Sequence, residues 1–105
     1  MAFACTIPAL PTIQRDDADV RITRWDFQPG AATGWHQHGW PYFVVMLTDA
    51  TMLVHDGTSV AERKLTAGES YGRPFGVTHD VMNGGPDPMA FVEIEIKRPG
   101  ALAYP

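Results

Sequence analysis

The chain has a single cysteine, Cys5, so it can form no internal disulfide and has neither a CxxC redox pair nor a cysteine-built zinc site. Basic residues are also scarce: 8 Lys and Arg stand against 12 Asp and Glu, for a net charge of -4, and no basic cluster occurs. Nucleic acid is therefore not an expected partner, because such binding draws on grouped cations. Long apolar runs are missing too. Away from the N-terminus the longest is YFVVML at residues 42–47, far short of the roughly 20 residues of a membrane helix. The apolar N-terminal stretch lacks a basic flank and is interrupted by Pro8 and Pro11, which does not match a secretory leader. Cys5 lies too near the start to come after a lipoprotein signal, so a cytoplasmic protein with no membrane contact is expected. No stretch of ten or more residues combines helical spacing with freedom from glycine and proline.

What remains is a pattern of strands, punctuated by 10 glycines and 9 prolines among 105 residues. A chain of this length buries roughly 60 to 70% of its unfolded surface, enough for one core. Residues 20–28 are rich in β-branched and aromatic types and end at Pro29-Gly30. Residues 42–48 form a continuous apolar strand, as expected for one buried on both sides. TMLVH, Asp56-Gly57 and TSVAERKL read as a hairpin, since Asp-Gly supplies the positive φ angles of a tight turn. In the last strand, Val92, Ile94 and Ile96 alternate with Glu93, Glu95 and Lys97, which predicts the apolar set inward and the charged set in solvent. Evenly spaced strands without helices imply an all-β sandwich or small barrel. The expected organisation is an extended arm over residues 1–19, one β-domain over 20–98 and a tail over 99–105.

The chemistry concentrates in four histidines, His36, His38, His55 and His79. In a strand, His36 and His38 point to the same face about 6.6 Å apart along the backbone, close enough for both imidazoles to meet one ion at roughly 2.0 to 2.1 Å. Further on, Gly68, Pro74, Gly76, His79 and Asn83 fit Gly-x5-Pro-x-Gly-x2-His-x3-Asn, while Gly30, His36 and His38 fit Gly-x5-His-x-His. Eight such identities arise in one register by chance on the order of once in 10^10.

Together these resemble the two motifs of the cupin superfamily. More closely, TGWHQHGWPYFVVMLTD and the later GESYGRPFGVTH resemble the short single-domain cupins grouped with a β-alanine degradation protein. The resemblance implies a single-domain cupin-type jelly-roll β-barrel with one divalent transition metal (iron, zinc, nickel, copper or manganese) held by His36, His38 and His79. It also implies a glutamate three or four residues after His38, where this chain has Tyr42 and Phe43. By period 2, Tyr42 shares the face of the two histidines. It is then a neutral hydrogen-bond donor beside the ion, an aromatic filler or a direct ligand. A shell of imidazoles alone leaves the ion its full +2 charge and favours anionic ligands.

Other residues carry two readings each. Trp35 and Trp40 flank the histidine pair and either line a pocket mouth or pack. Arg73 either receives a substrate carboxylate or lies exposed in a turn, and His55 either enters the cavity or sits at the surface. Asn83 is expected to tie off the turn at Gly84-Gly85. The functional expectation is a metal-dependent enzyme, dioxygenase-like or hydrolytic or isomerising, acting on a small organic acid or carbonyl compound. A metal-containing binding or sensing module and a metal-free remnant are the alternatives. A homodimer is expected, with the apolar arm packed across the partner.

Overall fold

The computed structural model describes residues 7–98, and the tail expected over residues 99–105 and the first six residues of the arm lie outside them. Those 92 residues form eleven strands: β1 (Ile7–Pro8), β2 (Leu10–Asp16), β3 (Val20–Phe27), β4 (Ala31–Ala32), β5 (His36–Gln37), β6 (Tyr42–Met46), β7 (Ala50–His55), β8 (Val60–Leu65), β9 (Ser70–Arg73), β10 (Thr78–Asn83) and β11 (Met89–Ile96). Among the described residues no helix is long and apolar enough to cross a membrane.

The strands form two sheets, β1-β4-β10-β7-β8 with β5 also on β10, and β2-β3-β11-β6-β9. Among the described residues no ladder joins them, so the expected all-β barrel is built as two facing sheets whose edges do not close on each other. β11 lies central in the second sheet, pairing with β3 from Met89↔Phe27 to Ile96↔Val20 and with β6 from Phe91↔Met46 to Glu95↔Tyr42. The core lies between the sheets: Phe27, Val44, Met46, Met89 and Phe91 from one meet Met52, Leu65 and Val81 from the other. Phe27 and Phe91 pack with ring centroids 5.4 Å apart, within the range of favourable aromatic pairs. The expected hairpin closes between β7 and β8, with Gly57 at φ +103° and the Asp56 carboxylate accepting the backbone N–H groups of Thr58 and Ser59, each at 2.9 Å.

Three expectations change. β6 is buried on one face only: Tyr42, Val44 and Met46 point inward, whereas Phe43 is 42% exposed. With two layers and no helical cover, the outer face of even a central strand meets solvent. The Phe43 ring lies over Gly72, where a Cβ would come within 2.9 Å of it.

β11 is inverted relative to its hydrophobic pattern. Glu93 and Glu95 are buried, and Val92 and Ile94 are the half-exposed positions. Phe91 sets the phase: it shares the parity of Glu93 and Glu95 and fills the core, so the two acids point inward with it.

The described part of the N-terminal segment is extended, but it pairs within this chain. β1 runs beside β4, and β2 forms the edge next to β3 with a bulge between Ile13 and Arg15. Pro11 is tolerated because an edge strand has no second ladder to satisfy.

The inverted face makes a prediction. Phe91→Ala should cost about 3 to 5 kcal/mol, the usual cost of emptying a buried aromatic site, and Val92→Ala about 1 kcal/mol or less. Urea denaturation of the two variants measures this, and equal losses would contradict the assignment.

Candidate metal centre

The three motif histidines meet because β5 pairs antiparallel with β10, placing His36 directly opposite His79. The next turn fixes His38 by two backbone hydrogen bonds, from His38 N to Val77 O at 2.8 Å and from Gly76 N to His38 O at 3.0 Å. Gly76 makes that turn at φ +89°, a conformation that disfavours any side chain. His38 Nε2 then lies 3.0 Å from His36 Nε2 and 3.1 Å from His79 Nε2.

Donors at 2.0 to 2.1 Å from a common ion stand about 3.0 Å apart at adjacent octahedral positions and about 3.4 Å apart in a tetrahedron. Both measured separations match the first case. The tautomer of His36 fits as well. His36 Nδ1–H donates to the carbonyl of Gly34 at 2.8 Å, leaving its Nε2 lone pair toward the other two rings. Burial, then the neighbouring His36 and His79, holds His38 down to about 3; burial and His36 hold His79 down to about 4. Near neutral pH both offer lone pairs rather than charges. The donor set suits a transition-metal ion.

Tyr42 is 2% exposed, and its ring is stacked on His38 at 3.9 Å between centroids. Burial, and next the charge of Glu93, pushes its phenol above the usual range, so it is a neutral group. Arg73, opposite Tyr42 in the sheet, joins Tyr42, Tyr71, Arg63 and His79 around a cavity of about 180 Å³. Arg63 lies over the Tyr71 ring at 4.5 Å. Trp35 stands elsewhere, 55% exposed and edge-on to His55 at 6.0 Å near the β7–β8 hairpin. Val54 lines the cavity, so its neighbour His55 faces the other side of the sheet. Trp40 packs between two cations, 5.2 Å from Arg21 and 5.3 Å from Lys97. Neither tryptophan lines the cavities that reach the histidines. Asn83 ties its turn as expected, donating to Asp87 O at 2.8 Å and accepting from Gly85 N at 3.0 Å.

Sequence reasoning missed four charged groups. Arg63 sits on a strand whose other side chains are mostly exposed and gives no pattern of its own. Glu93, Glu95 and Arg21 line a second cleft of about 360 Å³ that also reaches His36 and His38. Arg21 Nε donates to Glu95 at 2.9 Å, while Glu93 Oε2 lies 4.0 Å from His38 Nε2. Burial, and then the charge of Glu95, pushes Glu93 up to about 7, against the weaker pull of Arg21 and the Trp25 indole N–H. The signal that could have found the acids is their shared parity with Phe91.

Comparison with known proteins agrees with the fold. No family model matches the chain. It is 47% identical over 89 residues to the β-alanine degradation protein BauB of Pseudomonas aeruginosa, covering 85% of this chain and 94% of that one. Among solved structures it resembles a cupin domain from Bordetella pertussis Tohama I at 43% identity and TM-score 0.85, covering 89% of this chain and 97% of that one. An RmlC-like cupin with a double-stranded β-helix from Methanocaldococcus jannaschii shares the fold at 14% identity and TM-score 0.71, over 99% of this chain and 94% of that one.

The lowered histidines make stability pH-dependent in metal-free protein. Unfolded, His38 and His79 take up protons below about 6.5; folded, they resist until about 3 and about 4. Their contribution is therefore intact above pH 6.5 and is lost as the pH falls. Glu93 acts the other way: its contribution is present below about 4.5 and lost as the pH rises through about 7. Two histidines outweigh one acid in the overlapping window. The melting temperature of chelator-treated protein should fall from pH 6.5 to 4.5, and His79→Asn should flatten that fall. An equally steep profile in the variant would refute this origin.

Proposed function

The chain belongs to the cupin superfamily, and from that premise we propose that it is a metal-dependent enzyme acting on a small anionic organic compound, with one divalent transition metal held by His36, His38 and His79. The observation that carries the reading is the approach of three Nε2 atoms, with that of His38 3.0 Å from His36 and 3.1 Å from His79. A metal bound there supplies Lewis acidity toward a carboxylate or carbonyl oxygen and, if it is redox-active, dioxygen chemistry. The chain's own groups do the rest.

Arg63 and Arg73 carry the substrate preference. Both line the cavity that contains His79, and neither has a carboxylate partner among the described residues. Asp56, the acid at the same cavity, is committed to its own turn through Thr58 and Ser59. Two uncompensated guanidinium groups favour an anion, and a carboxylate matches their fork of donors. Tyr42 stays neutral beside His38 and offers a hydroxyl donor at the same cavity. Met52, Val54 and Val81 form its apolar wall, which suits a short carbon chain. A small organic acid also agrees with the name of the relative that is 47% identical over 89 aligned residues, a β-alanine degradation protein.

Two measurements test the reading. Protein purified without chelator should contain close to one transition-metal ion per chain by elemental analysis, and His79→Ala should lose most of it; full occupancy in that variant would remove the site. Arg63→Met should leave the metal in place and weaken binding of small carboxylates by about tenfold or more, the scale of losing a charged hydrogen-bond partner. Unchanged carboxylate affinity by calorimetry would move the substrate elsewhere.

A further inference from the structure

Asp80 is only 8% exposed although it stands on the outer side of its sheet. Its neighbours in β10, His79 and Val81, line the cavity of about 180 Å³, so the Asp80 side chain faces away from it. An aspartate is seldom this buried without a partner. We propose that Asp80 is a positioning residue of the metal centre: by anchoring Gly34 it holds His36 in the tautomer that leaves Nε2 able to bind an ion. The inference rests on the metal reading above.

A short chain of contacts carries it. The segment leading into His36 continues from β4 alongside β10. Thr33 N donates to Val81 O at 2.8 Å, and Gly34 N donates to the Asp80 carboxylate at 3.1 Å. Trp35 lies edge-on to His55, which stands opposite Asp80 in the register of β7 and β10. Gly34 is thus tied by its N–H to Asp80, and its carbonyl takes the Nδ1–H of His36 at 2.8 Å. A carbonyl oxygen can only accept, so this bond requires the proton on Nδ1 and leaves Nε2 bare.

The other tautomer has a partner within reach. Thr33 Oγ1 lies 3.2 Å from His36 Nδ1 and has a hydrogen of its own. In the present arrangement that hydroxyl donates to the Gly34 carbonyl at 2.9 Å and accepts from Val81 N at 3.2 Å. Once the Gly34 carbonyl is displaced, the hydroxyl is free to turn its hydrogen toward Nδ1. The ring then gives its Nδ1 proton to solvent and takes one at Nε2, and the lone pair needed for an ion is gone. A carbonyl and a hydroxyl compete for one ring nitrogen, and the position of Gly34 decides between them. Asp80 fixes that position from the strand that also carries His79.

The test compares wild type, Asp80→Ala and Asp80→Asn as metal-free, isotope-labelled full chain, with the histidine rings read by long-range hydrogen–nitrogen correlation at mildly alkaline pH. Wild type should show His36 protonated at Nδ1. Asp80→Ala should move a large share of His36 to the Nε2–H form, whereas Asp80→Asn, whose amide oxygen still accepts from Gly34, should keep most of the wild-type state. Cobalt(II) titration against a competing chelator should then show Asp80→Ala weaker by about tenfold, the scale of losing a group that orients a metal ligand, because binding draws only on molecules whose Nε2 is bare. Asp80→Asn should lose much less. A wild-type tautomer in Asp80→Ala, a cobalt affinity within about twofold of wild type, or a wild type already protonated at Nε2 overturns the proposal. A lower melting temperature with tautomer and affinity unchanged overturns it too, since Asp80 then serves stability alone. If Asp80→Ala does not fold, Asp80→Ser carries the comparison: its hydroxyl is too short to reach Gly34 N, and a wild-type tautomer in that variant overturns the proposal. A wild type that binds one cobalt ion per chain while Asp80→Ala leaves the tautomer unchanged sinks only this inference. A wild type that binds none while Asp80→Ala shifts the tautomer sinks the metal reading and supports the positioning role.

Discussion

One antiparallel pair, His36 opposite His79, is the constraint on which the site depends. It joins two sequence segments that are otherwise far apart and brings their imidazoles together. The pair holds because β10 is already fixed by β7 over four further positions and by β4 at Met82. Gly76 then turns the chain so that His38 is bound back to Val77. The order of dependence is sheet first, turn second, imidazoles third. Backbone hydrogen bonds thus hold the elements that carry all three imidazoles.

The histidines were legible in the sequence because their meaning lies in short fixed spacings, and the glycine and proline between them mark the turn that makes those spacings work. The strands were legible for the same local reason, down to the hairpin at Asp56-Gly57. The interior acids were not, because alternation reports only that two faces differ and leaves open which one is wet. In an ordinary core the apolar face wins. Here the space between the sheets is polar around the histidines, so Glu93 and Glu95 go inward while Val92 and Ile94 go outward. Arg63 escaped for a related reason: an arginine among exposed neighbours is indistinguishable in sequence from a solvated one, and only the fold shows that it leans over Tyr71 into a cavity. Phe43 failed in the opposite direction, since apolar character alone overstated its burial.

Tyr42 shows how one substitution is absorbed by its surroundings. A phenol in the place of the family's carboxylate removes a negative charge from the segment after the histidines and adds an aromatic face, which His38 uses for stacking. The phenol is too deeply buried to ionise. β11 lies alongside β6 and carries Glu93 and Glu95 on the same interior face as Tyr42.

The two cavities share no lining residue, yet both reach the histidine cluster, one at His79 and the other at His36 and His38. One wall is set with arginines and tyrosines, the other with acids. Under the proposed metal reading, the cluster would be open from two sides that differ in their charged groups. If the proposed activity holds, a ligand lodged in the second cleft would lower the maximal rate without competing for the arginines of the first.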